Sequence, residues 1–344
     1  MTNITRRRFL EVSMLGATAV AARAQTLRQR ADWPKRRAQI LAAAQEIMGP
    51  LPGDEKRCAL DVQVSEEVDC GRHVRRLITY ASEPGSRTPA YLLIPKSALT
   101  GKTAPAALCL HGTNSKIGHG AVIQGIGTTP NRQYASELAD RGFVTIAPNY
   151  PRLAKYQPDV FKLGYAGGTM KAIWDNVRAL DVLDAMRETR HDAYGAIGHS
   201  LGGHNAIYTA LFEPRIKAIV SSCGFDSFRD YFGGDPAKWE HGKGWCQNGY
   251  MPRLAKYRGR LEQIPFDFDD LLAAFAPRPI FVNAPLKDSN FQWRSVDRVV
   301  ATAREVYALL GAPDAIAVEH PDCPHDFPKE VRERAYAFLE RVLK

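Results

Sequence analysis

Short, continuous apolar runs recur along the chain from residue 104 onward, and segments with helical spacing of apolar positions lie between most of them. The runs are APAALCLHG, FVTIAPNY, AYGAIGHS, IKAIVSSCG, RPIFVNAP and AIAVEHPD. A strand buried on both faces is apolar at every position, which is typical of a parallel sheet covered by helices. The alternation therefore predicts a βα series whose strands pair within one sheet.

Two further elements are predicted before this series. Residues 33–49, WPKRRAQILAAAQEIMG, place their apolar side chains on one helical stripe from Ile40 to Met48, and Gly49-Pro50 ends the helix. HVRRLITYAS (73–82) and TPAYLLIPK (88–96) flank the turn-rich EPGSR and predict an antiparallel hairpin. The predicted fold is therefore α/β, with a mostly parallel eight-stranded sheet and helices on both faces.

The interval 225–277 interrupts the alternation and holds a disproportionate share of the aromatic residues. Open α/β sheets bind ligands at the carboxyl ends of their strands, so we expect this insert to lie over that edge. Most of its aromatic side chains are expected to form a small core of their own, while Trp245 and Tyr250 are predicted to face a substrate. The predicted organisation is an N-terminal helical extension over 25–72 and an α/β domain over 73–344.

The first 24 residues resemble a cleavable export signal. TRRRFL (5–10) precedes a mild apolar run over 12–22, and the small-x-small triplet Ala22-Arg23-Ala24 follows. The run is too short to span a bilayer, so no stable membrane anchor is expected. The paired arginines resemble the twin-arginine signal of bacteria, although Glu11 stands where that pattern often has lysine. The expected location is periplasmic or secreted, and a basic amphipathic helix is the alternative interpretation.

Charge and cysteine content exclude some classes of function. The formal net charge is +9, but the basic residues are scattered and form no stripe with interleaved aromatics, so no nucleic-acid partner is expected. Cys109 and Cys223 lie in or beside apolar runs and are predicted to be buried thiols. The other four cysteines leave pairing open, and the absence of C-x-x-C argues against a zinc or redox site. Nothing in the sequence indicates an oligomeric state.

The stretch Gly198-His199-Ser200-Leu201-Gly202 fits G-x-S-x-G and falls between a predicted strand and a predicted helix. A serine in this turn has an unfavourable backbone conformation, and side chains two residues away on either side would collide. Because the context matches, Ser200 is predicted to be a nucleophile. The histidines at 199 and 204 are expected to pack or to form hydrogen bonds.

A serine hydroxyl needs a base to take its proton and a carboxylate to orient that base. Asp288 follows the strand RPIFVNAP and is the predicted acid, whereas Asp297 and Asp326 are less favoured alternatives. His325 follows the last predicted strand and is the predicted base, in preference to His320.

The tetrahedral intermediate needs two N–H donors for its oxyanion. The first predicted donor is the backbone N–H of Leu201, directly after the serine. The second comes from HGTN (111–114), where Thr113 is preferred over Gly112, and the alternative is that HGTN forms only a tight turn.

HGTN, GHSLGG, APLKDSNF and PDCPHDF, in this order, resemble the α/β-hydrolase superfamily over residues 73–342. The hairpin RLITYASEPGSRTPAYLLIPK is similar to that of the bacterial dienelactone-hydrolase and acetyl-xylan-esterase-like branch. The serine departs from true dienelactone hydrolases, which use cysteine. The resemblance implies serine ester hydrolysis without a cofactor or metal.

The favoured function is an exported carboxylic ester hydrolase that acts on a small-molecule or oligosaccharide ester, because aromatic faces suit sugar rings. A peptidase of the prolyl-oligopeptidase type shares the catalytic domain, but the residues before the first strand are too few for a propeller domain. A binding protein without catalysis is a third hypothesis, and the complete Ser, Asp and His set counts against it.

Overall fold

One nine-stranded sheet organises the computed structural model, which describes residues 29–127 and 129–344. The strand order is β1-β2-β3-β5-β4-β6-β7-β8-β9. Antiparallel pairing joins β1 to β2, β2 to β3 and β3 to β5, and the remaining neighbours are parallel. The strands are β1 Gln63–Asp69, β2 His73–Glu83, β3 Ser86–Pro95, β4 Ala104–Leu110, β5 Val144–Pro148, β6 Thr189–His199, β7 Ile216–Ser222, β8 Ile280–Asn283 and β9 Ile316–Glu319.

The helices cover both faces of the sheet, as predicted. Side chains of α1, α4, α5, α6 and α7 share one apolar core, and those of α3 and α8 share the core on the opposite face. The helices are α1 (29–48), α2 Lys96–Leu99, α3 Tyr134–Asp140, α4 Gly168–Asp184, α5 Leu201–Phe212, α6 Phe268–Phe275, α7 Trp293–Leu309 and α8 Lys329–Leu343.

The continuous apolar run of β4 shows why the central strands were recognisable. Ala106, Leu108 and Leu110 belong to the first core, while Ala107 and Cys109 belong to the second. Successive side chains of a strand point to opposite faces, so both sets must be apolar when both faces are covered. The predicted fold class is confirmed.

The predicted number of eight strands is wrong by one, because the edge strand β1 was missed. QVSEEVD is almost entirely exposed and contains no apolar run. It is held by its ladder to β2 and by two cross-strand ion pairs, Glu66 with Arg75 (2.9 Å) and Glu67 with Arg76 (2.6 Å). Charged side chains on an edge strand prevent further pairing, but they also hide the strand from a search for apolar periodicity.

The N-terminal helix, the hairpin and the insert agree with the predicted elements. Helix α1 ends at residue 48, where Gly49 has a φ of 93°. Residues 225–267 form short 3₁₀ segments and loops, and α6 follows them. The ring of Phe228 lies 5.2–5.9 Å from four other rings of the insert, so these aromatics form a local core as expected: Trp239, Trp245, Phe266 and Phe268.

The structure addresses some of the remaining expectations and not others. The predicted signal at 1–24 lies outside the described residues, and so does Thr128. All six cysteines are free thiols, and Cys109 and Cys223 are buried as expected. Within the two described ranges, no helix combines the length and apolar character that crossing a bilayer requires.

Candidate active site

Ser200 occupies the tight turn between β6 and α5 at the carboxyl edge of the sheet. Its backbone has φ 57° and ψ −120°, and its N–H donates to the carbonyl of Ser222 on β7 (2.8 Å). A Cβ on Gly198 would lie 2.2 Å from the carbonyl carbon of Gly202, and one on Gly202 would lie 1.9 Å from the carbonyl oxygen of Leu110. Both glycines are therefore required by backbone contacts, and the turn holds the serine in a left-handed conformation that costs free energy.

Asp288 and His325 meet at the same edge, after β8 and β9. The Nδ1 of His325 lies 2.9 and 2.8 Å from the two carboxylate oxygens of Asp288 and donates to them. The carboxylate is 1% exposed and also accepts the N–H groups of Asn290 (2.8 Å) and Phe291 (3.2 Å). These bonds fix the acid and leave Nε2 as the second nitrogen of the imidazole.

The serine and the histidine line one cavity of about 330 Å³, which we call the base cavity. Its walls also include Gly112, Thr113 and Arg132. Over the described part of the chain, no hydrogen bond joins Ser200 Oγ to His325 Nε2. Catalytic hydrogen bonds are often loose in a protein without substrate and become shorter when it binds.

The alternative residues have other partners. Asp297 accepts from His320 Nε2 (2.9 Å), so these two form a separate pair. Asp326 binds Arg132 Nη1 (2.6 Å) and the side-chain amide of Asn131 (2.7 Å). The geometry thus brings Asp288, not Asp297 or Asp326, to the imidazole of His325.

The two predicted oxyanion donors flank the serine. Leu201 is the first residue of α5, so its N–H has no acceptor within the helix. Thr113 lines the base cavity with Ser200, and a Cβ on the preceding Gly112 would lie 3.6 Å from Ser200 Cβ. The loop that carries Thr113 therefore passes directly beside Ser200.

His111 holds this loop in place through two hydrogen bonds. The N–H of Tyr150 donates to its Nε2 (2.9 Å), so Nδ1 carries the proton and donates to the carbonyl of Gly112 (2.7 Å). Burial lowers the pKa of His111 to about 4, which keeps the imidazole neutral and preserves this pattern of one donor and one acceptor.

Three comparisons place this geometry among known proteins. A family model described as "Glucuronyl esterase, fungi" matches residues 157–311. The putative hydrolase YtaP of Bacillus subtilis (strain 168) is 26% identical over 266 residues, which are 75% of this chain and 84% of that protein. A glucuronoyl esterase from Solibacter usitatus matches with a TM-score of 0.73 at 19% identity, over 91% of this chain and 93% of that chain.

A putative acetyl xylan esterase from Bacteroides fragilis NCTC 9343 also matches, with a TM-score of 0.59 at 18% identity, over 83% of this chain and 74% of that chain. The chain has the α/β-hydrolase fold. The resemblance stated from the motifs is confirmed, and so is the predicted enzyme class, a carboxylic ester hydrolase. The catalytic roles of individual residues stay predictions.

A second cavity, about 230 Å³ in volume, lies between Ser200 and the insert. We call it the aromatic cavity, because its walls include Tyr231, Phe232, Trp245, Tyr250 and Phe291. Trp245 and Tyr250 were predicted to face a substrate, and both line this cavity. The Tyr250 hydroxyl also contacts the Thr113 hydroxyl (2.8 Å), which links the insert to the loop that carries Thr113.

The two histidines near the serine pack and form hydrogen bonds, as expected. His199 contacts the Ser222 hydroxyl through Nδ1 (3.0 Å), and its ring centre lies 4.8 Å from that of His325. His204 donates from Nδ1 to the carbonyl of Gly224 (3.0 Å), and its ring lies 4.6 Å from that of Trp245. Burial lowers the pKa of His204 to about 3 and that of His199 well below its usual value, so both are neutral.

Sequence analysis missed several residues of the site. Tyr231, Phe232 and Gln247 belong to the insert, whose aromatic content was the only available signal. Asn290 lines both cavities and lies two residues after the predicted acid, so its proximity to Asp288 was an available signal. Arg132 had no signal, since it follows a stretch without any motif.

One group within the described ranges has ligand atoms spaced for a metal ion: His199, Cys223 and His325, all within 4.8 Å of one another. This group includes the histidine that binds Asp288, so a metal there would compete with the Asp288–His325 arrangement. The expectation that the enzyme uses no metal and no cofactor stays a prediction.

Proposed function

We propose that this α/β-hydrolase cleaves carbohydrate esters through an acyl-enzyme on Ser200, with His325 as the base and Asp288 as the carboxylate that orients it. The observation that carries the proposal is the double contact between His325 Nδ1 and the buried Asp288, at the cavity that Ser200 lines. The strained backbone of Ser200 supports it, because such strain is found where a side chain must be presented to a substrate.

In the acylation step, His325 Nε2 takes the hydroxyl proton of Ser200 while Oγ attacks the ester carbonyl carbon. The carbonyl electron pair moves to oxygen, and the N–H groups of Leu201 and Thr113 stabilise the resulting oxyanion. When the carbon–oxygen bond to the alcohol breaks, His325 returns the proton to the alcohol oxygen. The products are a neutral alcohol and an ester between the acyl group and Ser200.

Deacylation repeats these steps with water. His325 takes one proton from a water molecule while the water oxygen attacks the acyl carbon. The oxyanion again forms at the N–H groups of Leu201 and Thr113. Collapse of the intermediate releases Ser200, which regains the proton from His325, and frees the carboxylic acid. The role of Asp288 is the same in both steps, since it keeps the tautomer of His325 with Nε2 unprotonated.

The two cavities suggest how an ester lies across Ser200. The alcohol oxygen must reach His325, which lines the base cavity, so the alcohol is expected on that side. The acyl group then occupies the aromatic cavity, whose volume of about 230 Å³ suits a sugar-sized group better than an acetyl group. Similarity to proteins named as glucuronoyl esterases supports a uronoyl acyl group.

The first test is the Ser200→Ala variant. It is expected to abolish hydrolysis of p-nitrophenyl acetate and labelling by a fluorophosphonate probe, while the melting temperature stays near that of the wild type. Turnover retained in a folded variant would rule out Ser200 as the nucleophile.

The second test is a substrate screen on the purified wild type. Acetyl, feruloyl and glucuronoyl esters with the same alcohol are compared by kcat/KM. The highest value is expected for the glucuronoyl ester, because its ring fills the aromatic cavity. A clear preference for the acetyl ester would contradict the assignment of that cavity to the acyl group.

We also propose that the enzyme is exported, which rests on the pattern of residues 1–24. In a bacterial host, the enzyme is expected in the periplasmic fraction or the medium after removal of these residues. Replacing Arg6 and Arg7 with lysine should retain it in the cytoplasm if the twin-arginine route is used.

A further inference from the structure

A third cavity, of about 300 Å³, adjoins the aromatic cavity and is not lined by His325. We call it the distal cavity. It shares Thr113, Gln247 and Tyr250 with the aromatic cavity, so both cavities border the Thr113–Tyr250 hydrogen bond. A substrate that has its ester at Ser200 and continues past Tyr250 therefore reaches the distal cavity.

The wall of the distal cavity that the insert forms is anchored to the rest of the fold. Gly168 N–H, at the start of α4, donates to the carbonyl of Asn248 (3.0 Å), and Thr169 N–H donates to that of Tyr250 (3.2 Å). The Tyr150 hydroxyl donates to the carbonyl of Gly249 (2.9 Å). A Cβ on Gly168 would lie 2.2 Å from the Gly249 carbonyl oxygen, so the backbones approach as closely as they can. These contacts make the cavity a preformed feature.

The opposite wall carries Arg152, in the loop after β5. Its backbone has a φ of 68°, which is unfavourable for a residue with a side chain, and its N–H donates to the carbonyl of Tyr156 (2.9 Å). Such a conformation persists only where the surrounding structure determines it. The loop therefore holds Arg152 at the cavity against a local conformational cost.

The two arginines that line these cavities differ in their partners. Arg132, in the base cavity, binds Asp326 at 2.6 Å and the carbonyl of His325 at 3.2 Å, so its charge is compensated. The guanidinium of Arg152 has neither an acidic partner nor a hydrogen-bond acceptor among residues 29–127 and 129–344. The side-chain amide of Asn248, on the facing wall, also lacks a partner within these ranges. The distal cavity thus presents a cation and a neutral donor that nothing in the described protein satisfies.

We propose that the distal cavity is a second binding subsite, which takes a free carboxylate on the part of the substrate beyond the ester, with Arg152 as the anion-binding residue. A guanidinium matches a carboxylate through two parallel N–H···O bonds, and Asn248 adds a donor from the other wall. The ligand class is an acidic oligosaccharide. The inference rests on the proposed function, because it assumes that the ester lies at Ser200.

The kinetic test uses two esters of equal oligosaccharide length. One has a free carboxylate beyond the ester, on the acyl side, and the other has a neutral group at that position. In the wild type, the acidic ester is expected to have the higher kcat/KM. Arg152→Gln is expected to reduce the ratio of acidic to neutral kcat/KM about tenfold through KM, as loss of one charged hydrogen-bonding group implies. High salt should reduce the wild-type ratio in the same direction.

Lys155→Gln is the matched control. Lys155 is an exposed cation three residues further along the same loop and does not line the cavity. The ratio of acidic to neutral kcat/KM in Lys155→Gln is expected to equal that of the wild type. An equal loss in both variants would show a general effect of surface charge and would overturn the proposal, as would an unchanged ratio in Arg152→Gln.

A binding measurement separates this inference from the proposed function. Calorimetry with the Ser200→Ala variant and an acidic oligosaccharide without an ester is expected to show binding that Arg152→Gln, added to this variant, weakens about tenfold. If the wild type hydrolyses neither ester but this binding is observed, the proposed function fails and the subsite stands. If the esters are hydrolysed and binding does not depend on Arg152, the subsite fails and the proposed function stands.

Discussion

Two Asp–His pairs lie at the carboxyl edge of the sheet. They differ in whether the imidazole keeps a nitrogen that is not engaged within the protein. His325 contacts Asp288 through Nδ1 alone, so Nε2 is not committed to the carboxylate. His320 contacts the carbonyl of Ala284 through Nδ1 (2.7 Å) and Asp297 through Nε2 (2.9 Å). Both nitrogens of His320 are therefore engaged, and neither is left free to contact a serine.

The carboxylates differ as much as the rings. The side chain of Asp288 is 1% exposed and accepts two backbone N–H groups, whereas that of Asp297 is 47% exposed. A buried, fixed carboxylate orients its histidine far better than an exposed one, which water and salt weaken. An Asp–His contact is thus not sufficient to identify a catalytic pair, and the free nitrogen and the shared cavity with Ser200 are what distinguish Asp288–His325.

The largest expected difference between the pairs comes from replacing the histidines. His325→Ala is expected to reduce kcat on p-nitrophenyl acetate about 10⁵-fold, because no base remains to take the proton of Ser200. His320→Gln is the matched control and should change kcat by less than about twofold, in line with the small effect of surface changes. Steady-state kinetics on folded variants check both values. A large loss of kcat in His320→Gln would contradict the distinction between the two pairs.

Replacing the acids should give a smaller difference. Asp288→Asn is expected to reduce kcat about 10⁴-fold, since an amide favours the wrong tautomer of His325. Asp297→Asn should leave kcat within about twofold of the wild type. Equal losses in the two variants would mean that both carboxylates act on the base.

A third carboxyl group, that of Asp226, is expected to make the free energy of unfolding depend on pH. It is buried, its Oδ2 accepts the N–H of Gln292 (3.1 Å), and its Oδ1 has no partner in the described part of the chain. The pKa of Asp226 is raised to about 8, chiefly by burial and also by the charges of Asp230, Asp267 and Asp288, while the Gln292 N–H opposes this shift. The folded state therefore holds a proton that the unfolded chain releases near pH 4.

The sign of the effect follows from proton binding. Between pH 4 and about 8 the folded state binds more protons at Asp226 than the unfolded chain, so this group makes the free energy of unfolding fall as pH rises. Asp226→Asn should remove that decline and raise the melting temperature at pH 8 relative to the wild type. Thermal unfolding across this range checks it, and parallel curves for the two proteins would show that Asp226 is ionised in the fold.

The smallest effect is expected for the stability of the exposed pair. Asp297→Asn should lower the free energy of unfolding by less than about 1 kcal/mol, because exposed ion pairs contribute little. Chemical denaturation measures this change. A loss of several kcal/mol would mean that the His320–Asp297 contact organises the ends of β9 and α7.

Local pattern was sufficient to predict much of the fold. The central strands were recognisable because both of their faces are covered, as the alternating cores of β4 show. The turn at Ser200 was recognisable because its glycines are required by backbone contacts within a few ångströms. Strand β1 was missed because an exposed, charged edge strand has no apolar signal.

The division of the site into cavities could not be predicted from the sequence. The aromatic cavity joins residues of the insert to Thr113 and Asn290, and the distal cavity adds the loop that carries Arg152. These segments are far apart in the sequence, and their side chains meet only because the strands end at a common edge.

By itself, the sequence determined the order of the strands after β1 and of the main helices, the strained position of Ser200 and a short set of candidates for acid and base. These properties depend on periodicity and on steric contacts between near neighbours in the chain. Only the tertiary structure decided that Asp288 binds His325, across 37 positions, while Asp297 binds His320 and Asp326 binds Arg132. That choice depends on loop directions at the sheet edge, which long-range packing sets and no local pattern encodes.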